Sequence, residues 1–123
     1  INHMLKSELL FNRPDFGWLS EETEETEDCP DRLRKENTFI IDPIDGTRSF
    51  ISGKPTFSHS LATSRNGNVV AGVVYLPILN LMYTASEESQ STLNGKIIST
   101  SKTTSLENSK LLTTSAIDLC CFA

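Results

Sequence analysis

Several residue types are scarce in this chain. Three cysteines, Cys29, Cys120 and Cys121, occur in 123 residues. Two are adjacent, the count is odd and the spacing matches no metal-ligand pattern, so neither a disulfide framework nor a zinc site is expected. Reduced thiols in a cytoplasmic protein are the reading we take. Basic residues are outnumbered, 11 Lys and Arg against 16 Asp and Glu, for a formal net charge of −5. A non-specific nucleic-acid binder would show a basic face, so that class is set aside. An acidic chain that takes an anionic substrate needs metal cations as the adaptor. No apolar run approaches the ~18 residues of a membrane-spanning helix. The opening "INHMLKSELLF" lacks the apolar core of a signal peptide. Apolar residues make up 37% and charged residues 22%, which fits one globular domain.

What is present starts with a short amphipathic helix, Met4, Leu5, Leu9 and Leu10 sharing a side, ending before "NRPDFG". "GWL" reads as the end of a buried strand with Trp18 in the core. After it come seven acids between Glu21 and Asp31, of which Glu24 to Asp31 read as a solvated loop. From residue 38 the pattern becomes that of sheet. "TFII" suggests a strand covered on both faces. "FSHSLATS" and "NVVAGVVYLP" are joined by "RNGN", a hairpin signal. "LMYTAS" follows a turn at Pro77 to Asn80, and "STLNGKIIS" offers a second Asn-Gly turn. A further strand is expected at Leu111 to Thr114. The order is α+β, a largely antiparallel sheet with flanking helices, and the helices speak against an all-β sandwich.

The chemistry concentrates in "FIIDPIDGTRSF", residues 39 to 50. Asp42 and Asp45 are crowded around Pro43, and like charges repel unless both are solvated or a cation lies between them. Pro43 disfavours a helical Asp42, so the chain is expected to turn at once and the two carboxylates to converge beyond the strand end. Gly46 permits close backbone approach to a ligand, and "TRSFISG" reads as a short helix whose first N–H groups face the same point. Carboxylates and a carbonyl are the hard oxygen ligands of Mg²⁺. Glu21 and Glu22, at another strand end, are further candidate ligands, and Thr47 could place an attacking water. Asp-Pro and Asp-Gly are also common turn formers, so the residues alone leave a turn and a metal site both open.

"WLSEET", residues 18 to 23, followed by "FIIDPIDGTRSFISGKP", residues 39 to 55, resembles the Mg²⁺-dependent, lithium-sensitive inositol monophosphatase family. "NGNVVAGVVYLPILNLMYTA" and "LNGK" follow that family's sheet segment. The resemblance implies the N-terminal part of a layered α/β sandwich and a phosphomonoesterase acting on a small phosphorylated metabolite. It implies that Glu21 holds the activating metal, that Asp42 is shared by two metals, and that the Ile44 carbonyl and Asp45 complete the two sites. Thr47 would join Glu21 in activating water. Asp45 and the N–H groups of Gly46 and Thr47 would bind substrate, and Glu22 would support the ligands from behind. Two or three Mg²⁺ ions belong to the complete family site.

Within the family, "GWLSEET" with "DPIDGTRSFISGKP" and "AGVVYLP" looks most like bacterial 3′(2′),5′-bisphosphate nucleotidases, with histidinol-phosphatase and inositol-1-phosphatase next. The family's upstream helix and its C-terminal half with a Trp-Asp motif have no counterpart in the sequence. The expectation is therefore a partial domain over residues 1–123, with a sheet edge and an apolar face exposed and homodimerisation as the rescue. A catalytically inactive remnant with one partial metal site is the rival reading. Asp118 in "IDLCC" receives no role. His59 is expected to pack on one strand face with Phe57 and Leu61, Ser20 to act as a cap or turn residue, Arg48 to meet a substrate anion or solvent, and Lys54 and Arg65 to be loop charges.

Overall fold

A computed structural model describes residues 1–23, 31–105 and 107. The fold is α+β. Helix α1 (Asn2–Asn12) leads into strand β1 (Gly17–Ser20). Then follow β2 (Asn37–Asp45), the short helix α2 (Thr47–Ile51), β3 (Ser58–Arg65) and β4 (Asn68–Leu76). Strands β5 (Leu81–Ser86), β6 (Ser89–Leu93) and β7 (Lys96–Ile97) complete the described elements. Among the described residues, seven strands form one sheet in chain order. β1 runs parallel to β2, and every later pair is antiparallel.

The antiparallel part follows from turn chemistry. Asn66 and Gly67 hold φ of 50° and 81°, and Asn94 and Gly95 hold 48° and 76°. Two successive positive φ values make the tight turn whose twist matches a hairpin, and Asn-Gly accepts them at little cost. At Asn94 the side chain reinforces the turn. Its Oδ1 accepts the Met82 amide at 2.8 Å and its Nδ2 donates to the Asn80 carbonyl at 2.9 Å.

The core lies where β1 meets β2. Trp18 and Ile41 are 4% and 2% exposed, and Pro43 is buried as well. Gly17 is required there, because a Cβ would come within 2.8 Å of the Thr38 hydroxyl on β2 and 3.1 Å of Arg32 Cβ. The other face of the sheet stays open. Ile40, Ala62, Val74, Tyr83 and Ile98 line an apolar groove of about 510 Å³, and Val74, Tyr83 and Ile98 keep more than a third of their surface exposed.

The structure corrects four expectations. The strand "TFII" does not end at Ile41 but continues to Asp45, with Pro43 inside it. Proline is tolerated because the ladder breaks there: Asp42 pairs with Ser60 and Asp45 with Ser58, so two residues of β2 face one of β3. Met4 does not share a covered side with Leu5 and Leu9; it is 60% exposed, while they are half-buried. Arg65 ends β3 rather than lying in a loop, 4.0 Å from Glu87 in an exposed ion pair. TFII is also not covered on both faces, since Ile40 lines the open groove. The expected loop over Glu24 to Asp31 falls outside the described residues except for Asp31. Cys29, the Leu111 to Thr114 strand, Asp118, Cys120 and Cys121 lie outside them altogether.

Candidate active site

The parallel β1–β2 register builds the site. Ser20 pairs with Ile41, and the next amide, Glu21 N–H, donates to the Ile41 carbonyl at 3.2 Å. Two acidic positions that are 21 residues apart in sequence, Glu21 and Asp42, are thereby neighbours. The Asp42 carboxylate beside Glu21 raises the Glu21 pKa above its ordinary 4.5, through like-charge repulsion and a hydrogen bond to the protonated Glu21. Asp45 and Glu22 push the same way. The turn below β1 is fixed by Ser20. Its hydroxyl accepts the Glu22 amide at 3.3 Å and donates to Asn2 Oδ1 of α1 at 3.0 Å. Ser20 thus serves as the turn residue the sequence suggests.

The bulge aims the second strand. Asp42 Oδ1 accepts the Ile44 amide at 3.1 Å, an Asx-type turn. Asp45 Oδ2 accepts the Ser58 hydroxyl at 3.4 Å. Gly46 sits at the start of α2 with φ 85° and ψ 41°. A Cβ at this position would lie 3.3 Å from the Thr56 carbonyl oxygen, so left-handed backbone and close approach both select glycine. The Thr47 hydroxyl donates to the Ile44 carbonyl at 3.1 Å. That carbonyl retains a second lone pair.

These residues offer hard oxygen donors: the carboxylates of Glu21, Asp42 and Asp45 and the carbonyl of Ile44. Their chemistry fits Mg²⁺, and the crowding of Asp42, Asp45 and Glu22 about Glu21 is a concentration of negative charge that a cation would relieve. The donors do not form a closed cage. Among the described residues no group of three His, Cys, Asp or Glu side chains is gathered tightly enough to hold an ion. Of the expected site residues, the fold brings Glu21 and Asp42 together, ties Thr47 to Ile44, and sets Asp45 one bulge away. Sequence reasoning missed Ser58 and gave His59 no part in the turn. His59 Nδ1 meets the Pro43 carbonyl. The only available signal was their position on the strand that follows the motif.

The inositol monophosphatase family model matches residues 1–118. The chain belongs to the inositol monophosphatase family. It is 37% identical over 93 residues to an inositol-1-monophosphatase of Rhizobium meliloti, which covers 76% of this chain and 34% of that protein. It is 38% identical over 77 residues to the 3′(2′),5′-bisphosphate nucleotidase CysQ of Shigella flexneri, covering 60% and 29%. Among solved structures, the IMPase of Thermotoga maritima superposes with a TM-score of 0.74 at 39% identity, covering 86% of this chain and 39% of that one. The chain spans about a third of the length of the curated relatives it matches.

Proposed function

We propose that this chain carries the metal- and phosphate-binding half of a Mg²⁺-dependent phosphomonoesterase that hydrolyses a small phosphorylated metabolite. The observation that supports it most is the adjacency of Glu21 and Asp42 across the parallel ladder, with the Glu21 pKa raised as a consequence. Glu21, Asp42 and the Ile44 carbonyl would hold one Mg²⁺, and Asp42 with Asp45 would hold a second. When bound, such ions supply Lewis acidity toward a phosphoryl oxygen and raise the acidity of water for in-line attack.

The chain's own groups do the rest. Glu21 accepts a hydrogen bond from the attacking water and orients it. Thr47 spends its proton on the Ile44 carbonyl, so its oxygen is free to accept from the same water. The amides of Gly46 and Thr47, at the start of α2, have no carbonyl one turn earlier in the helix and donate to the phosphate. Asp45 borders the substrate and is held by Ser58.

The string "GWLSEET" with "DPIDGTRSFISGKP" supports a nucleoside 3′(2′),5′-bisphosphate as substrate. A polyol monophosphate is the second reading, favoured by inositol-1-monophosphatase relatives that align over more of the chain than the nucleotidase does. Among the described residues no helix is long and apolar enough to cross a membrane; a cytoplasmic setting and a homodimer that covers the open sheet face belong to the same proposal.

Calorimetric titration of the 123-residue chain with Mn²⁺, a tighter surrogate for Mg²⁺, tests it, with Asp42→Asn alongside. Saturable binding that the substitution abolishes is the expected result. A folded chain that takes up no ion would leave the inactive remnant as the reading, and hydrolysis of a nucleoside bisphosphate against inositol phosphate separates the two substrates.

A further inference from the structure

We propose that His59 is a positioning residue for the acidic turn, holding the bulge that sets Asp42 and Asp45. The inference rests on the reading of that turn as the metal-binding element. Pro43 and Ile44 are the two residues of β2 inside the bulge, and His59 is the single residue of β3 that faces them, between Ser60 and Ser58. A bulge disrupts the ladder locally and leaves backbone groups to find partners elsewhere. At this position the partner is a side chain: His59 Nδ1 lies in hydrogen-bonding contact with the Pro43 carbonyl. A carbonyl oxygen only accepts, so the ring must carry its proton on Nδ1.

The ring is itself held in place. It lies 6.1 Å from Phe57 and 6.4 Å from Tyr75, its register partner on β4, and Phe57 in turn packs edge-on against Phe50 of α2 at 5.0 Å. One aromatic row thus runs from β4 to α2, and its only polar handle on the turn is His59. The adjoining bonds show what that handle governs. Ile44 N–H reaches Asp42 Oδ1, and the Ile44 carbonyl receives the Thr47 hydroxyl. Both belong to the peptide units on either side of Ile44, immediately after the Pro43 carbonyl. Loss of the anchor on Pro43 would let the bulge rotate, and the carboxylates it presents would lose their fixed aim. Groups that orient metal ligands from behind typically govern affinity by ~10–100-fold.

The test begins with the metal-free chain. Long-range proton–nitrogen spectra identify which nitrogen of His59 is protonated; a proton on Nδ1 is expected, and a neutral ring protonated on Nε2 alone overturns the proposal. Amide hydrogen exchange then follows the Ile44 N–H in His59→Phe, which keeps the ring packing, and in His59→Asn, whose amide nitrogen stands near the place of Nδ1. Exchange at Ile44 should rise by roughly tenfold in H59F, the equivalent of one hydrogen bond, while the β3–β4 ladder stays protected and H59N retains the wild-type rate. Unchanged exchange in H59F overturns the proposal.

Mn²⁺ titration of the same proteins should show affinity weakened in H59F and recovered in H59N. If the wild-type chain binds no Mn²⁺, the metal reading fails by itself, and tautomer and exchange still decide whether His59 holds the turn. If H59F does not fold, H59N decides: loss of Ile44 protection there would count against Nδ1 as the anchor.

Discussion

Glu21 and Asp42 are brought side by side where the parallel β1–β2 ladder ends, with the Glu21 amide donating to the Ile41 carbonyl at 3.2 Å. Parallel strands end at the same side of a sheet, so two chain segments that each place acids just beyond an apolar run must pool their charge. This proximity has a cost in the metal-free chain, and that cost is measurable.

The first prediction concerns pH. The Glu21 pKa is raised above 4.5 in the folded chain, chiefly by Asp42. Between the unfolded value and the raised folded value, the native state binds more protons than the unfolded one. Stability of the metal-free chain therefore falls as pH rises through the window just above 4.5. Urea midpoints across that window should show this slope, and Glu21→Gln should flatten it. Mn²⁺ affinity should run the other way and increase with pH in the same window, because protons and the cation compete for one carboxylate.

A second prediction separates backbone strain from close approach. Gly46→Ala places a side chain at φ 85° and 3.3 Å from the Thr56 carbonyl oxygen, whereas Gly95→Ala meets only the positive φ of 76°, with nothing within 4 Å. The second should cost ~1–2 kcal/mol, and the first measurably more. Chemical denaturation of the two variants gives the difference directly. Equal costs would mean that α2 shifts freely away from Thr56.

Much of this was legible in the sequence, for local reasons. Asn66-Gly67 and Asn94-Gly95 announce hairpins because few other pairs accept two positive φ values, and both hairpins are where the sequence places them. Trp18 reads as core because it follows a glycine and precedes a leucine in a strand-like run, and it is buried. The bulge was not legible. Asp-Pro normally signals that a strand is over, and only pairing with Ser60 and Ser58 on a distant segment shows that β2 continues. His59 was hidden for the same reason. Its apolar neighbours Phe57 and Leu61 give the strand face correctly, but a hydrogen bond across 16 residues leaves no trace in local pattern.

The third prediction tests where the small core lies. Trp18→Ala removes one of the most buried side chains and should cost about 3–5 kcal/mol, a large share of the ~5–15 kcal/mol typical of whole domains. Val69→Ala, at a position 62% exposed on β4, should stay within about 0.5 kcal/mol of wild type. Thermal or urea unfolding checks both, and a mild Trp18→Ala would place the stabilising contacts elsewhere in the sheet.

The last prediction links Thr47 to the ion through Ile44. The Thr47 hydroxyl donates to the Ile44 carbonyl at 3.1 Å, and the same oxygen is the proposed backbone ligand. Thr47→Val keeps the shape and removes the donor. Because Thr47 is exposed, water replaces the lost bond and stability should change by no more than about 1 kcal/mol. The carbonyl, however, loses the group that fixes its direction, and Mn²⁺ affinity should fall by roughly tenfold. Thr47→Ser restores the hydroxyl and should restore the affinity. If Thr47→Val binds Mn²⁺ as tightly as wild type, the Ile44 carbonyl is not a ligand, and the ion would have to be held by the carboxylates of Glu21, Asp42 and Asp45 without backbone help.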